Sequence, residues 1–173
     1  MKAILIALLA FGLIAATATY RPSLADMRAS ALRLRTVDGI CSGTAIAAHK
    51  MLTARHCFDD RLVSVNDVPM QALRFDHEGD DTVVVTVSGT FKHWAKRGPK
   101  PVQGERVRFI GNPMGEPNVL REALVARVRP GQIILQGMVC AGDSGAGLTN
   151  ERGEVVGIVD AMTDRACKFG IGI

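Results

Sequence analysis

The sequence predicts an all-β chain in two halves, and three observations lead there. Short segments rich in β-branched residues alternate with turns. Long helical periodicity is absent beyond the first eighteen residues. A Gly-, Pro- and charge-rich stretch near residue 95 splits the strands into two sets.

The elements follow in order. Met1-Lys2 and the uncharged apolar run Ala3 to Ala15, closed by Ala16-Thr17-Ala18, have the positive start, core and small-x-small ending of a secretory signal. Residues 1–18 are therefore expected to be removed, and the run is shorter than the ~20 apolar residues of a membrane span. Leu32 to Arg35 alternates with period two, as a half-buried strand does. Ile40 to Ala47, Lys50 to Ala54, Arg61 to Val65, Val68 to Phe75 and Thr82 to Val87 continue the first half, residues 19–90. Residues 91–101, Phe91 to Pro101, read as a linker. The second half, residues 102–173, holds strands at Arg106 to Ile110, Val119 to Val128, Gln132 to Gln136, Glu154 to Asp160 and Phe169 to Ile173. Turns at Gly111-Asn112-Pro113, Pro130-Gly131 and Asn150 to Gly153 separate them.

Composition narrows the function. The chain has 173 residues, is 47% hydrophobic and carries a formal charge of +4, so it is neither low-complexity nor disordered. Aromatic content of 5% is too low for a base-stacking platform, and the densest basic stretch, Lys92 to Lys100, reads as solvated linker; no nucleic-acid partner is expected. Four cysteines beyond the signal suggest two disulfides in an exported protein, and three connectivities are open. Sequence proximity favours Cys41 with Cys57 and Cys140 with Cys167. No CxxC or HxxxH pair is present, so no metal is expected.

Two segments carry chemistry. One runs Cys41-Ser42-Gly43-Thr44 to Leu52-Thr53-Ala54-Arg55-His56-Cys57, and the other is Cys140-Ala141-Gly142-Asp143-Ser144-Gly145-Ala146-Gly147-Leu148. A serine hydroxyl is a poor nucleophile until a base takes its proton, so neither segment means much without the other. Gly142 and Gly145 leave the serine's backbone uncluttered, free to aim amide N–H groups at a developing oxyanion.

Together these segments resemble the TAxHC and GDSG signatures of the chymotrypsin-like serine proteases. The resemblance spans about residues 31–173 and implies two antiparallel β-barrels with the active site in the cleft between them. It implies Ser144 as nucleophile, His56 as base and then acid, and the N–H groups of Gly142 and Ser144 as the oxyanion hole. It also supports the two cysteine pairings. The family's aspartate lies between the histidine and the serine, where Asp59, Asp60, Asp67, Asp76, Asp80 and Asp81 are candidates. Asp81, directly ahead of Thr82-Val83-Val84-Val85, fits best, with Asp80 in reserve. His49, His77 and His93 lack the motif context and are read as surface residues. Gly104 to Pro113, Leu148 to Ile158 and Gly170-Ile171-Gly172 are similar to the bacterial high-temperature-requirement (Deg-type) branch.

Departures from the family are specific. The Ile-Val-Gly-Gly start of the digestive zymogens is absent, so Asp143 needs another partner, an arginine being the natural choice. The family's serine beside the triad is replaced by Asp160, a second carboxylate able to shift the pKa of its neighbour or lower the rate. The C-terminal helix is absent. Asp160 and Ala161 fall where the resemblance places substrate-binding backbone; the position six residues before the nucleophile is Met138, and with Met162 and Ile171 it suggests an apolar substrate pocket. Met138, Met162 and Ile171 are equally readable as core, since Met often fills gaps.

The expectation is thus a secreted or periplasmic serine endopeptidase acting on proteins or peptides through an acyl-enzyme, without cofactor and without a stable membrane anchor. It is expected to cleave after small or medium apolar residues. The rival reading is a catalytically impaired protein of the same fold that binds peptides without turnover.

Overall fold

The computed structural model describes residues 23–58, 62–162 and 170–172. The proposed signal, Asp59, Asp60 and Cys167 lie outside them, as do the side chains of Ala161, Met162 and Ile171.

The described residues open with a short helix, α1 (Leu24–Ser30), that the strand pattern did not announce. Its cause is local. Ser23 accepts from the Asp26 amide while the Asp26 carboxylate accepts from the Ser23 amide, a capping box that satisfies two end groups at once.

Seven strands follow: β1 (Ala31–Thr36), β2 (Ile40–Ala47), β3 (Lys50–Ala54), β4 (Leu62–Val65), β5 (Val68–Pro69), β6 (Ala72–His77) and β7 (Thr82–Val87). They form one antiparallel sheet in the order β5-β4-β1-β2-β3-β7-β6. The segment read as one strand from Val68 to Phe75 is two, β5 ending at Pro69, whose missing N–H cannot extend a ladder. Leu32, Leu34, Met51, Leu52, Val65, Val83, Val85 and Val87 share one core, so strands from across the sheet wrap a common interior. Phe58 and Phe75 close its end edge to face, with ring centroids 5.8 Å apart.

The second half contains β8 (Arg106–Gly111), β9 (Val119–Arg129), β10 (Gln132–Gln136), β11 (Gly147–Thr149), β12 (Val155–Met162) and β13 (Gly170–Gly172). These close into a barrel in the order β10-β13-β12-β11-β8-β9. Phe109, Leu135, Leu148 and Val125 are fully buried at its centre. Strand β11 lies inside the second chemical motif, where the glycines hid a strand that pairs Gly147 with Ile158.

Strand β12 joins the two bodies. Val155 and Ile158 pack in the first core, whereas Val156 and Val159 pack in the second. A strand buried on both sides is apolar throughout, which is how Val155-Val156-Gly157-Ile158-Val159 reads. The segment 91–101 lies along this junction: Ala95 donates to Ala45 O, Gly98 to Val155 O, and Val155 to Lys96 O.

Cys41 and Cys57 form a disulfide that ties β2 to the turn after β3. Cys140 is also disulfide-bonded, and the partner expected for it, Cys167, is outside the described residues. Replacing Cys41 and Cys57 together by alanine frees a loop with a sequence separation of 16. We expect this to cost about 3 kcal/mol of stability on the chain-entropy model, measured by denaturant titration. An unchanged midpoint would show that the bridge constrains nothing.

Candidate active site

Strand pairing sets the first half of the site. Ala54 at the end of β3 faces Thr82 at the start of β7, so the residues just beyond each strand end meet. The Arg55 amide donates to Asp81 O at 2.7 Å, which starts the turn Arg55–Cys57 beside that aspartate. The His56 amide then donates to Asp81 Oδ1 at 2.9 Å, and His56 Nδ1 lies 2.5 Å from Asp81 Oδ2. An ionised carboxylate only accepts, so this contact places the ring proton on Nδ1 and leaves Nε2 with its lone pair. The imidazole is 48% exposed and Asp81 17%, so the base opens to the cleft while its carboxylate is sheltered.

Among the other aspartates, Asp67 pairs with Arg33 and Asp76 with Arg74, while Asp80 is exposed and has no bond to His56 among the described residues. His49, His77 and His93 are exposed, and His49 Nδ1 contacts Gly89 O at 2.7 Å.

The second half is the loop 140–146, docked on β2. Ser42 makes the joint: its amide donates to Ser144 O at 2.8 Å and its hydroxyl to Gly142 O at 2.7 Å. The Asn112 side-chain amide donates back to Ser42 Oγ at 2.8 Å and to Leu32 O at 3.3 Å. The Gly147 amide adds a bond to Thr44 Oγ1 at 2.9 Å. Gly142 and Gly145 have φ of +95° and +85°, and a Cβ at Gly145 would overlap Ser42 O and Thr53 Oγ1. The loop therefore approaches β2 as closely as glycine permits. Sequence reasoning did not assign roles to Ser42, Thr44 or Asn112; two of them were in the quoted Cys-Ser-Gly-Thr motif, but their partners are distant in the chain.

Ser144 sits at the junction, its carbonyl oxygen 3.7 Å from Cys57 Sγ, next in the chain to His56. Its hydroxyl donates to the main-chain carbonyl of Asp160 at 3.2 Å rather than to the imidazole. The amides of Gly142 and Ser144 have no protein acceptor among the described residues.

Asp143 turns inward and is fully buried. Its Oδ2 accepts from the Cys140 amide at 2.8 Å and lies 3.5 Å from Arg121 Nε, the arginine partner that the missing N-terminal motif required. Burial pushes the Asp143 carboxyl above its ordinary pKa, against the opposing pulls of the Cys140 amide and the Arg121 charge. Arg121 also donates to Met138 O at 3.0 Å. Met138 is 58% exposed.

Asp160, on β12, is the second carboxylate, with Oδ1 3.8 Å from His56 Nδ1. His56, Asp81 and Asp160 are the one group of acidic or imidazole side chains among the described residues spaced closely enough to hold a metal. Both Asp81 oxygens are already engaged by His56, so hydrogen bonding accounts for the cluster.

An all-β molecule in two bodies, with a histidine–carboxylate pair on one and a glycine-flanked serine on the other, belongs to the chymotrypsin-like class of architecture. The trypsin-like peptidase domain matches residues 41–158, and the chain belongs to that family of serine endopeptidases. Solved structures show the same fold. The Rv3671c protease of M. tuberculosis in its active form is 18% identical, with 88% of this chain and 79% of that one covered and a TM-score of 0.74. A serine endoprotease from Yersinia pestis is 19% identical, covering 89% and 63%, with a TM-score of 0.71. A Glu endopeptidase is 15% identical, covering 88% of each chain, with a TM-score of 0.70. No curated protein matches the chain in sequence.

Replacing Arg121 by methionine would leave the Asp143 carboxylate buried without its counter-charge. We expect a loss of about 3 kcal/mol at neutral pH, the cost of breaking a buried pair from one side. A raised pKa means the folded state holds the proton more tightly than the unfolded chain, so the deficit should shrink as pH falls through the carboxylate range. A pH-independent deficit in denaturant titrations would contradict this account.

Proposed function

We propose that the chain is an exported endopeptidase that cleaves peptide bonds through an acyl-enzyme formed on Ser144. The observation that carries the reading is the pair of hydrogen bonds that His56 donates to Asp81, which presents Nε2 with its lone pair to the cleft where loop 140–146 docks. Ser144 Oγ turns from the Asp160 carbonyl to His56 when a substrate fills the cleft, and the imidazole takes its proton as Oγ attacks the scissile carbonyl. Asp81 stabilises the imidazolium that results. The uncommitted amides of Gly142 and Ser144 supply the oxyanion donors, each worth about 10²–10³ in rate. The imidazolium gives that proton to the leaving amine as the C–N bond breaks and the acyl-enzyme forms. Neutral His56 then deprotonates a water that attacks the ester, and returns that proton to Ser144 Oγ as the acid product leaves.

The substrate preference we propose is for small or medium apolar side chains. Met138 brings no negative charge, and the buried Asp143 carboxylate near it is already matched by Arg121 rather than open to a Lys or Arg side chain. Export is supported by the Cys41–Cys57 disulfide. No helix among the described residues is long and apolar enough to cross a membrane. The rival reading, a peptide binder without turnover, draws on the bond from Ser144 Oγ to Asp160 O, which points the hydroxyl away from its base.

A fluorophosphonate probe separates the two readings. The wild-type protein should be labelled and Ser144→Ala should not, whereas folded wild-type protein that resists labelling would favour the binder. Asp81→Asn should lower kcat by about 10⁴, because the amide can donate to Nδ1 and hold the wrong tautomer. A peptide-library profile dominated by cleavage after Lys or Arg would reject the proposed pocket.

A further inference from the structure

We propose that Asp160 is a positioning residue whose carboxyl group shares one proton with Asp81 and steadies the His56–Asp81 pair only while that proton is present. The inference deepens the peptidase reading above and rests on it.

Three contacts place residue 160 at the centre of the site. Its main-chain carbonyl accepts from Ser144 Oγ at 3.2 Å, and its Oδ1 lies 3.8 Å from His56 Nδ1. A carboxyl oxygen of Asp160, a carboxyl oxygen of Asp81 and a ring nitrogen of His56 all lie within 4.8 Å of one another. Strand β12 thus brings one residue of the second barrel against both the nucleophile and the pair on the first sheet.

Two sheltered carboxyl groups that converge on the same imidazole nitrogen hold together best with a proton between them, because ionised carboxylates offer acceptors only and repel each other. The partners decide where the proton resides. Asp81 already accepts two N–H bonds from His56, which favour its charged form. Asp160 has no such donors on its carboxyl among the described residues, and it is three-quarters buried. The proton therefore belongs to Asp160, which donates to Asp81.

The electrostatics agree in direction. Burial alone would raise Asp81, but the hydrogen bonds from Asp160 and His56 outweigh it and hold that carboxyl below its usual range. Burial, followed by the bond to Asp81 and the charge on Asp81, pushes Asp160 up to about 6, against the opposing pull of His56. The charged groups facing Asp160 among the described residues are Asp81, from the segment before β7, and His56, from the turn after β3.

The sign follows. Below about pH 6 Asp160 is neutral and donates to Asp81; as pH rises through that value the proton leaves and two anions face each other. The new charge also attracts an imidazolium, but across 3.8 Å to a ring nitrogen whose proton is already given to Asp81. Loss of the proton-bridged contact dominates, so the pair is best held in mildly acidic conditions.

Asp160→Asn tests this, since its amide is a donor at every pH. The ratio of kcat/KM for Asp160→Asn over wild type should rise about tenfold from roughly pH 5 to pH 7, as expected for one ionisation. Carboxyl-carbon NMR of wild type and Ser144→Ala should show Asp81 and Asp160 moving together in a step near pH 6 that Asp160→Asn lacks. A flat or falling ratio, or two carboxyls titrating independently in the ordinary carboxylate range, would overturn the proposal. A shared step in a protein that hydrolyses nothing at any pH supports the pair and instead sinks the peptidase reading.

Discussion

Ser42 holds the two halves of the site in register, and most of what surrounds it depends on that joint. It donates from both its amide and its hydroxyl to the loop carrying Ser144, and it accepts from Asn112 at the end of β8. The side chain is fully buried, so each of these bonds forms away from competing water and each lost partner would leave a buried polar group unsatisfied. The close approach that these bonds require explains the glycines better than flexibility does. At Gly145 there is no room for a side chain between the loop and strands β2 and β3. A serine loop on a separate barrel would otherwise have no reason to settle at a fixed height above the histidine turn.

The buried charges near that loop have different partners and different consequences. Asp143 points into the second barrel, where Arg121 supplies the positive charge and Cys140 the amide donor. Asp81 points to the cleft and is charged because His56 gives it two donors. Asp160 shares that cleft but takes the residual position, facing the Asp81 carboxylate and a His56 nitrogen whose proton is already given away. Three aspartates within one site thus differ in proton affinity for reasons of hydrogen bonding and burial rather than of residue type.

Much of the fold was legible because strand signals are local. The β-branched run at Thr82–Val87 and the alternation at Leu32 to Arg35 needed no distant information to be read. Two elements escaped for opposite reasons. Helix α1 is only seven residues long, too short for periodicity to show, although Ser23 and Asp26 have capping-box spacing. Strand β11 is built from Gly147-Leu148-Thr149, whose glycine-rich context reads as loop; it becomes a strand because β12 pairs with it. At the site, His56 and Ser144 were marked by their motifs. Ser42 and Asn112 were not, since their value lies in meeting each other across 70 positions.

What the sequence determined by itself was the set of reactive residue types, their order and the strand pattern, because these are properties of neighbours in the chain. Tertiary structure alone decided which arginine faces Asp143, where the hydroxyl of Ser144 points, and that Asp160 joins Asp81 beside His56. Each of those outcomes is a contact between residues from different strands. Such contacts follow from register and packing depth, which no local pattern encodes.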